Sequence, residues 1–126
     1  MIREERTISN IQDFLWKLFT SDLLPNKYFD ELPATNDFEG AMVIDLSNSI
    51  SDMNAYGQGS FLIFLYAKPL KSGMRNGLLG KMEKEVLRLI DENDDTTYTM
   101  SLRYRHSDYD AARDLHMTIL EINILI

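Results

Sequence analysis

The chain has 126 residues, a formal net charge of −7, 44% hydrophobic and 26% charged residues, and no cysteine. The composition is globular, and the length fits a single domain, 1–126, able to bury about two-thirds of its unfolded surface without covalent staples. Disulfides, thiolate metal sites and cysteine nucleophiles are excluded, and the acidic balance argues against specific or general nucleic-acid binding.

The charge is uneven. Lys68, Lys71, Arg75, Lys81, Lys84 and Arg88 are offset within their segment only by Glu83 and Glu85, so 68–88 is +4 and the remainder −11. Such a dipolar surface can support self-association, or it is an ordinary solvated face. The start, Met1 to Arg6, is charged and lacks the apolar run of a secretory signal, and the longest apolar stretch, Phe61 to Ala67, is too short to span a bilayer. The expectation is a cytoplasmic protein with no membrane partner.

In chain order, Ile8, Ile11, Phe14, Leu15, Leu18 and Phe19 recur at helical spacing and predict a first helix over 8–19. Ser9, three residues before Gln12, has capping-box spacing, and Trp16 and Lys17 fall on the outer face. The stretch 25–40, with Pro25 and Pro33, reads as a connection holding a short extended piece at Tyr28 and Phe29. A strand follows over 41–47, then a turn over 54–59. The next strand, 60–67, is apolar on both faces and therefore expected to be central and covered on both sides. Pro69 ends it.

A second helix is predicted from Asn76 or Gly77 to Asn93, with Leu79, Met82, Val86, Leu89 and Ile90 buried and Lys81, Lys84 and Arg88 outside. The acidic run 91–95 sits unfavourably at its C-terminus, which predicts an exposed, frayed turn. The segment 97–105 alternates, with Tyr98, Met100, Leu102 and Tyr104 on one face. A polar loop over 107–115 leads to a last strand, 116–126, whose Leu120, Ile122, Ile124 and Ile126 form one apolar face. The order is α-β-β-α-β-β, an α+β fold with two helices on one face of an antiparallel-rich sheet. The other face is expected to be partly bare, and Ile124 to Ile126 on an edge strand would be an aggregation hazard in a lone monomer. Oligomerisation would remove it. Lys81, Lys84, Arg88, Ile122, Ile124 and Ile126 are the candidate interface residues.

No catalytic motif stands out. His106, Asp108, Asp110, Asp114 and His116 have metal-ligand chemistry, but they read as a solvated loop. The run from Asp91 begins like a calcium loop, yet Thr96 replaces its glycine and Leu102 its last glutamate. Gly73, Gly77 and Gly80 approach the second helix, but Gly80-Lys81-Met82 lacks the hydroxyl of a phosphate-binding loop. Asp45 has no catalytic partner nearby in sequence, and Ser47, Ser49 and Ser51 lie in no nucleophile motif. Tyr98 and Tyr104 could stack bases or simply pack. No metal site, cofactor site or catalytic residue is therefore assigned.

One resemblance does emerge. A short helix and loop precede the strand from Gly40 to Leu46. After a glycine-bearing turn comes the hydrophobic strand from Gly59 to Ala67, broken by Pro69, and then a helix and two strands. In order and length this resembles the small tail terminator and head–tail joining proteins of long-tailed bacteriophages and prophages; the charged 107–115 stretch departs from that pattern. The resemblance implies a homo-oligomeric ring, commonly hexameric, that caps the tail tube and meets other tail or connector proteins. It implies no enzyme activity and no cofactor, with residence in the host cytoplasm and then the virion tail. It transfers no functional residue. Two other readings stand beside it: an intracellular adaptor or chaperone-like module that offers a sheet edge to a peptide, and a small hydrolase using the 106–116 cluster.

Overall fold

A computed structural model of the chain describes residues 7–46 and 57–126. The charged start, the serines Ser47, Ser49 and Ser51, and the turn residues Asn54, Ala55 and Tyr56 lie outside the described residues. The elements are α1 (Ile8–Leu18), β1 (Lys27–Phe29), β2 (Gly40–Asp45), β3 (Gln58–Ala67), α2 (Leu78–Asp91), β4 (Thr99–Asp110) and β5 (Leu115–Leu125). They form an α+β fold around a five-stranded sheet in the order β1-β2-β3-β5-β4. The short piece expected near Tyr28 is β1, parallel to β2; every other pairing is antiparallel.

Both helices cover the same sheet face. Ile11, Leu15 and Phe19 from α1 and its cap meet Leu79, Met82, Val86 and Ile90 of α2 over Met42, Ile44, Phe61, Ile63, Leu65, Leu120, Ile122 and Ile124. This is the stripe that helical spacing predicts for each helix, closed onto the strand positions of one pleat. The helix-side face of β2 begins at Gly40. A Cβ there would lie 2.8 Å from Leu78 Cδ2 and 3.0 Å from Met82 Sδ, so glycine lets the start of α2 approach the sheet closely.

Local polar groups fix the helix ends. The N-cap of α1 is Thr7, whose hydroxyl accepts from Asn10 N at 3.4 Å, rather than Ser9, which lies inside the helix. Near its C-terminus, the Lys27 ammonium donates to the Trp16 carbonyl at 2.7 Å and sits 4.2 Å from the Trp16 ring centroid. That contact ties β1 to α1 and places a cation at the negative end of the helix; burial holds the Lys27 pKa below its ordinary value. The acidic run after α2 is largely exposed, as expected, and its turn carries hydrogen bonds of its own. Asp95 N donates to Asn93 Oδ1 and Thr97 N to Asp95 Oδ1, while Asn93 Nδ2 reaches the Tyr98 carbonyl at 2.8 Å. The short side chains accept the turn's own backbone N–H groups and hold its shape beside the unfavourable dipole.

One carboxylate lies between the helices. Glu85 is 8% exposed, accepts the Ser21 hydroxyl of the α1–β1 connection, and pairs with Arg88 Nε at 2.6 Å. The Arg88 hydrogen bond, then the Ser21 hydroxyl, hold Glu85 below its ordinary value of 4.5, against the opposing effect of burial. A carboxylate with a depressed folded pKa contributes stability above its unfolded value and loses it as pH falls through the folded one. Glu85→Gln is thus expected to lower stability at neutral pH and to flatten its decline on the acid side of 4.5. Urea denaturation of both forms across that range checks this, and parallel declines would contradict it.

Two expectations change. The last strand is not an edge: β5 lies between β3 and β4, so Ile122, Ile124 and Ile126 are 0%, 2% and 8% exposed beneath the helices. They are core residues, and their apolar face is already spent on α1 and α2. The 107–115 loop is mostly strand. β4 runs on to Asp110, and the chain reverses within 111–114, where Asp114 adopts a left-handed φ of 53°.

Candidate interaction surface

The pleat sends Ala41 and Val43 of β2, Leu62, Phe64 and Tyr66 of β3, and Leu115, Met117 and Ile119 of β5 to the face away from the helices. One side of that face is closed by the chain itself. Phe38 of the 30–39 connection packs with Ala41 and Leu115, and Tyr28, Leu32 and Tyr66 border them. The β4–β5 turn clamps this connection in place. Arg113 donates from Nη2 to Asn36 Oδ1 at 2.6 Å and to the Pro33 carbonyl at 2.7 Å, while Asn36 Nδ2 returns a bond to the Arg113 carbonyl at 2.9 Å. Burial and the Asp110 carboxylate raise the nearby Tyr66 phenol above its ordinary pKa, and Arg113 acts in the opposite direction.

The rest of the face is partly open, with Val43 buried within it. Leu62, Phe64 and Ile119 are only half-buried, so the central strand is not fully covered on both sides as expected. Towards the Gln58 end of β3 the face dips into a groove of about 620 Å³ lined by Gln58, Ser60, Ser101, Arg103 and Asn123. Glu121 beside it accepts from Ser60 Oγ at 3.5 Å and faces Arg103 Nε at 3.7 Å.

β4 is the long edge of the sheet. It has 12 residues, and positions 101–109 are all exposed. A bulge separates Leu102, opposite Ile122, from Tyr104, opposite Glu121. The extra residue, Arg103, reverses the alternation. Leu102 stays on the helix side, whereas Tyr104 joins His106, Asp108 and Asp110 on the open face. Arg105, Ser107 and Tyr109 then face the helix side, where Arg105 Nη2 meets Glu83 of α2 at 2.6 Å. The expectation that Tyr98, Met100, Leu102 and Tyr104 share one face therefore fails at the bulge. Tyr98 is core, stacked on Phe14 at 4.3 Å, while Tyr104 is 57% exposed and contacts the His106 ring edge-on. The two tyrosines make no common stacking platform.

The other candidates are dispersed in the same way. His106, Asp108 and Asp110 line one face of β4, but His116 sits opposite Tyr109 on the other, and Asp114 accepts the Tyr109 hydroxyl. Among the described residues no group of histidines and carboxylates could hold a metal ion. The glycine-bearing approach to α2 is tied to β5: Arg75 donates to the Met117 carbonyl at 3.0 Å and to the Thr118 hydroxyl, and His116 Nε2 lies 3.2 Å from the Gly73 carbonyl. Asp45 ends β2 opposite Leu62. Lys81, Lys84 and Arg88 are exposed on α2 as expected, but Arg88 is held by Glu85 and by Glu92 at 2.6 Å. Lys81 and Lys84 remain as outward cations.

Sequence reading singled out Tyr104, His106 and Asp108 but not their shared place on an edge strand, and it passed over Tyr109 on the other face of that strand. The signal available was weak: two tyrosines spaced through a polar run, and an Asp-Ala-Ala-Arg-Asp stretch able to turn. Among the described residues no helix is long and apolar enough to cross a membrane. No family model matches the chain, and no curated protein matches it in sequence.

Proposed function

We propose that this protein is a structural assembly subunit of the phage or prophage tail terminator or head–tail joining kind, acting through contacts with its own copies and with tail or connector proteins. The observation that carries the assembly reading is β4, a long sheet edge exposed on both faces beside a half-open apolar sheet surface. Its unpaired backbone N–H and C=O groups form a ready template for another strand, and the apolar sheet surface beside it gains from being covered by another chain. The tail assignment rests on the resemblance in element order. In a ring, neighbours meet through two different surfaces, and the outward Lys81 and Lys84 against the acidic remainder of the chain suit such a contact. This reading assigns no catalytic step and no cofactor, and it places the protein in the host cytoplasm before it joins the virion.

The same edge favours one other reading, an adaptor that binds an extended peptide by strand addition. Sedimentation of the pure protein at rising concentration, with and without isolated tail tubes, tests the assembly reading. Self-association and co-sedimentation with the tubes are expected. A species that stays monomeric and ignores the tubes would overturn it, and capture of one extended peptide without virion proteins would favour the adaptor.

A further inference from the structure

β4 carries an ordered charge pattern. After the bulge its open face presents Tyr104, His106, Asp108 and Asp110, and its helix-side face Arg105, Ser107 and Tyr109. Hydrogen-bond donors and cations come first, and the carboxylates follow. A strand of that kind complements itself when reversed. We propose that, in the free protein, β4 pairs antiparallel with β4 of a second copy about a two-fold axis at Ser107, joining two five-stranded sheets into one.

The register follows from elimination. Directly opposed residues of antiparallel strands share a sheet face, so the sheet continues only where residues of one face meet. Centring the axis on Arg105 or on Asp108 sets like charges directly opposite each other, which is unfavourable. Centring it on His106 opposes two histidines and runs Tyr109 into the bulge at Arg103. Centring it on Ser107 opposes each His106 to the partner's Asp108 and each Tyr104 to the partner's Asp110 on the open face. On the helix side it sets Arg105 against the partner's Tyr109, a cation beside an aromatic ring. The ladder then runs over Tyr104–Asp110 and stops where the bulge already ends regular pairing. Tyr104 and Tyr109, 57% and 45% exposed in the single chain, would both become covered.

The inference goes beyond the assembly reading and stands without it, because it needs only the edge strand. A ring would set the same edge against a different surface, so the two-fold pair describes the free protein and would have to open on assembly.

The chain has no cysteine, so one introduced thiol reports on one position. Ser107→Cys places the two thiols opposite each other across the axis, within disulfide reach. Ser101→Cys, exposed but before the bulge, does not. Under mild oxidation Ser107→Cys is expected to give disulfide dimers and Ser101→Cys to stay single. Asp108→Lys is expected to weaken the dimer of the unmodified protein roughly tenfold, as two symmetric cross-strand pairs are lost, and adding His106→Asp is expected to restore it. Circular dichroism confirms that each variant is folded. Equal cross-linking at the two positions, or a purely monomeric mass at high concentration, would overturn the inference. Cross-linked dimers from a protein that never joins tail tubes would sustain it and remove the function proposed above. Ring-sized oligomers without the Ser107→Cys link would do the reverse.

Discussion

Replacing Phe61 by alanine is expected to remove about 3–5 kcal/mol of stability, a large share of the roughly 5–15 kcal/mol typical of a domain. Phe61 is 2% exposed, sits opposite Ile122 on the central strand, and faces the layer built by both helices. The cost combines lost transfer energy with a cavity that strands paired on both sides cannot close. Phe64, three residues along, points to the open face and is half-buried. Phe64→Ala is expected to cost less, because part of its ring already meets water. Urea midpoints of the two variants compare them directly. Equal losses would mean that the helices do not lie on the face described.

The second large effect is expected at Arg113. Its guanidinium joins Asn36 Oδ1 and the Pro33 carbonyl, and its main chain receives Asn36 Nδ2 and donates to Asp110 Oδ1 at 3.2 Å. Charged hydrogen bonds in half-buried surroundings contribute about 1.5–3 kcal/mol each when cut on one side. Arg113→Ala is therefore expected to cost about 2–3 kcal/mol, discounted for partial exposure. It should also release the 30–39 connection from Ala41 and Leu115. Limited proteolysis should then cut within 30–39 well before the rest of the domain. Arg113→Lys should recover no more than part of the loss, because a single ammonium does not reproduce the planar fork. Unchanged cleavage in Arg113→Ala would show that Phe38 alone holds the connection down.

These two variants probe opposite faces of the sheet, and they mark how far the sequence could be read. Both helices and the strands β2 and β3 were legible, since Ile11 and Leu15, Leu79, Met82 and Val86, and Phe61, Ile63 and Leu65 carry the spacing of their buried faces. The Arg113 clamp was not legible, because Pro33 and Asn36 lie far away in sequence and nothing local marks them as its acceptors. Glu85 was hidden likewise: a carboxylate on a helix reads as solvent-facing until Ser21 and Arg88 are brought to it. β4 was cut short at Arg105 because the periodicity signal arises from burial, and from Ser101 to Tyr109 neither face is buried.

The order of chemistry along the chain was enough to establish an α+β domain with two helices on one sheet face, since each apolar stripe reflects only its own element's geometry. Strand order was decided by the tertiary structure alone. Alternation in the last strand shows that Ile122 and Ile124 are covered but not by what, and inserting β5 between β3 and β4 turned that face from a surface into core. The exposed edge thereby passed to β4, whose polar sequence can sit there because water satisfies what no neighbouring strand does.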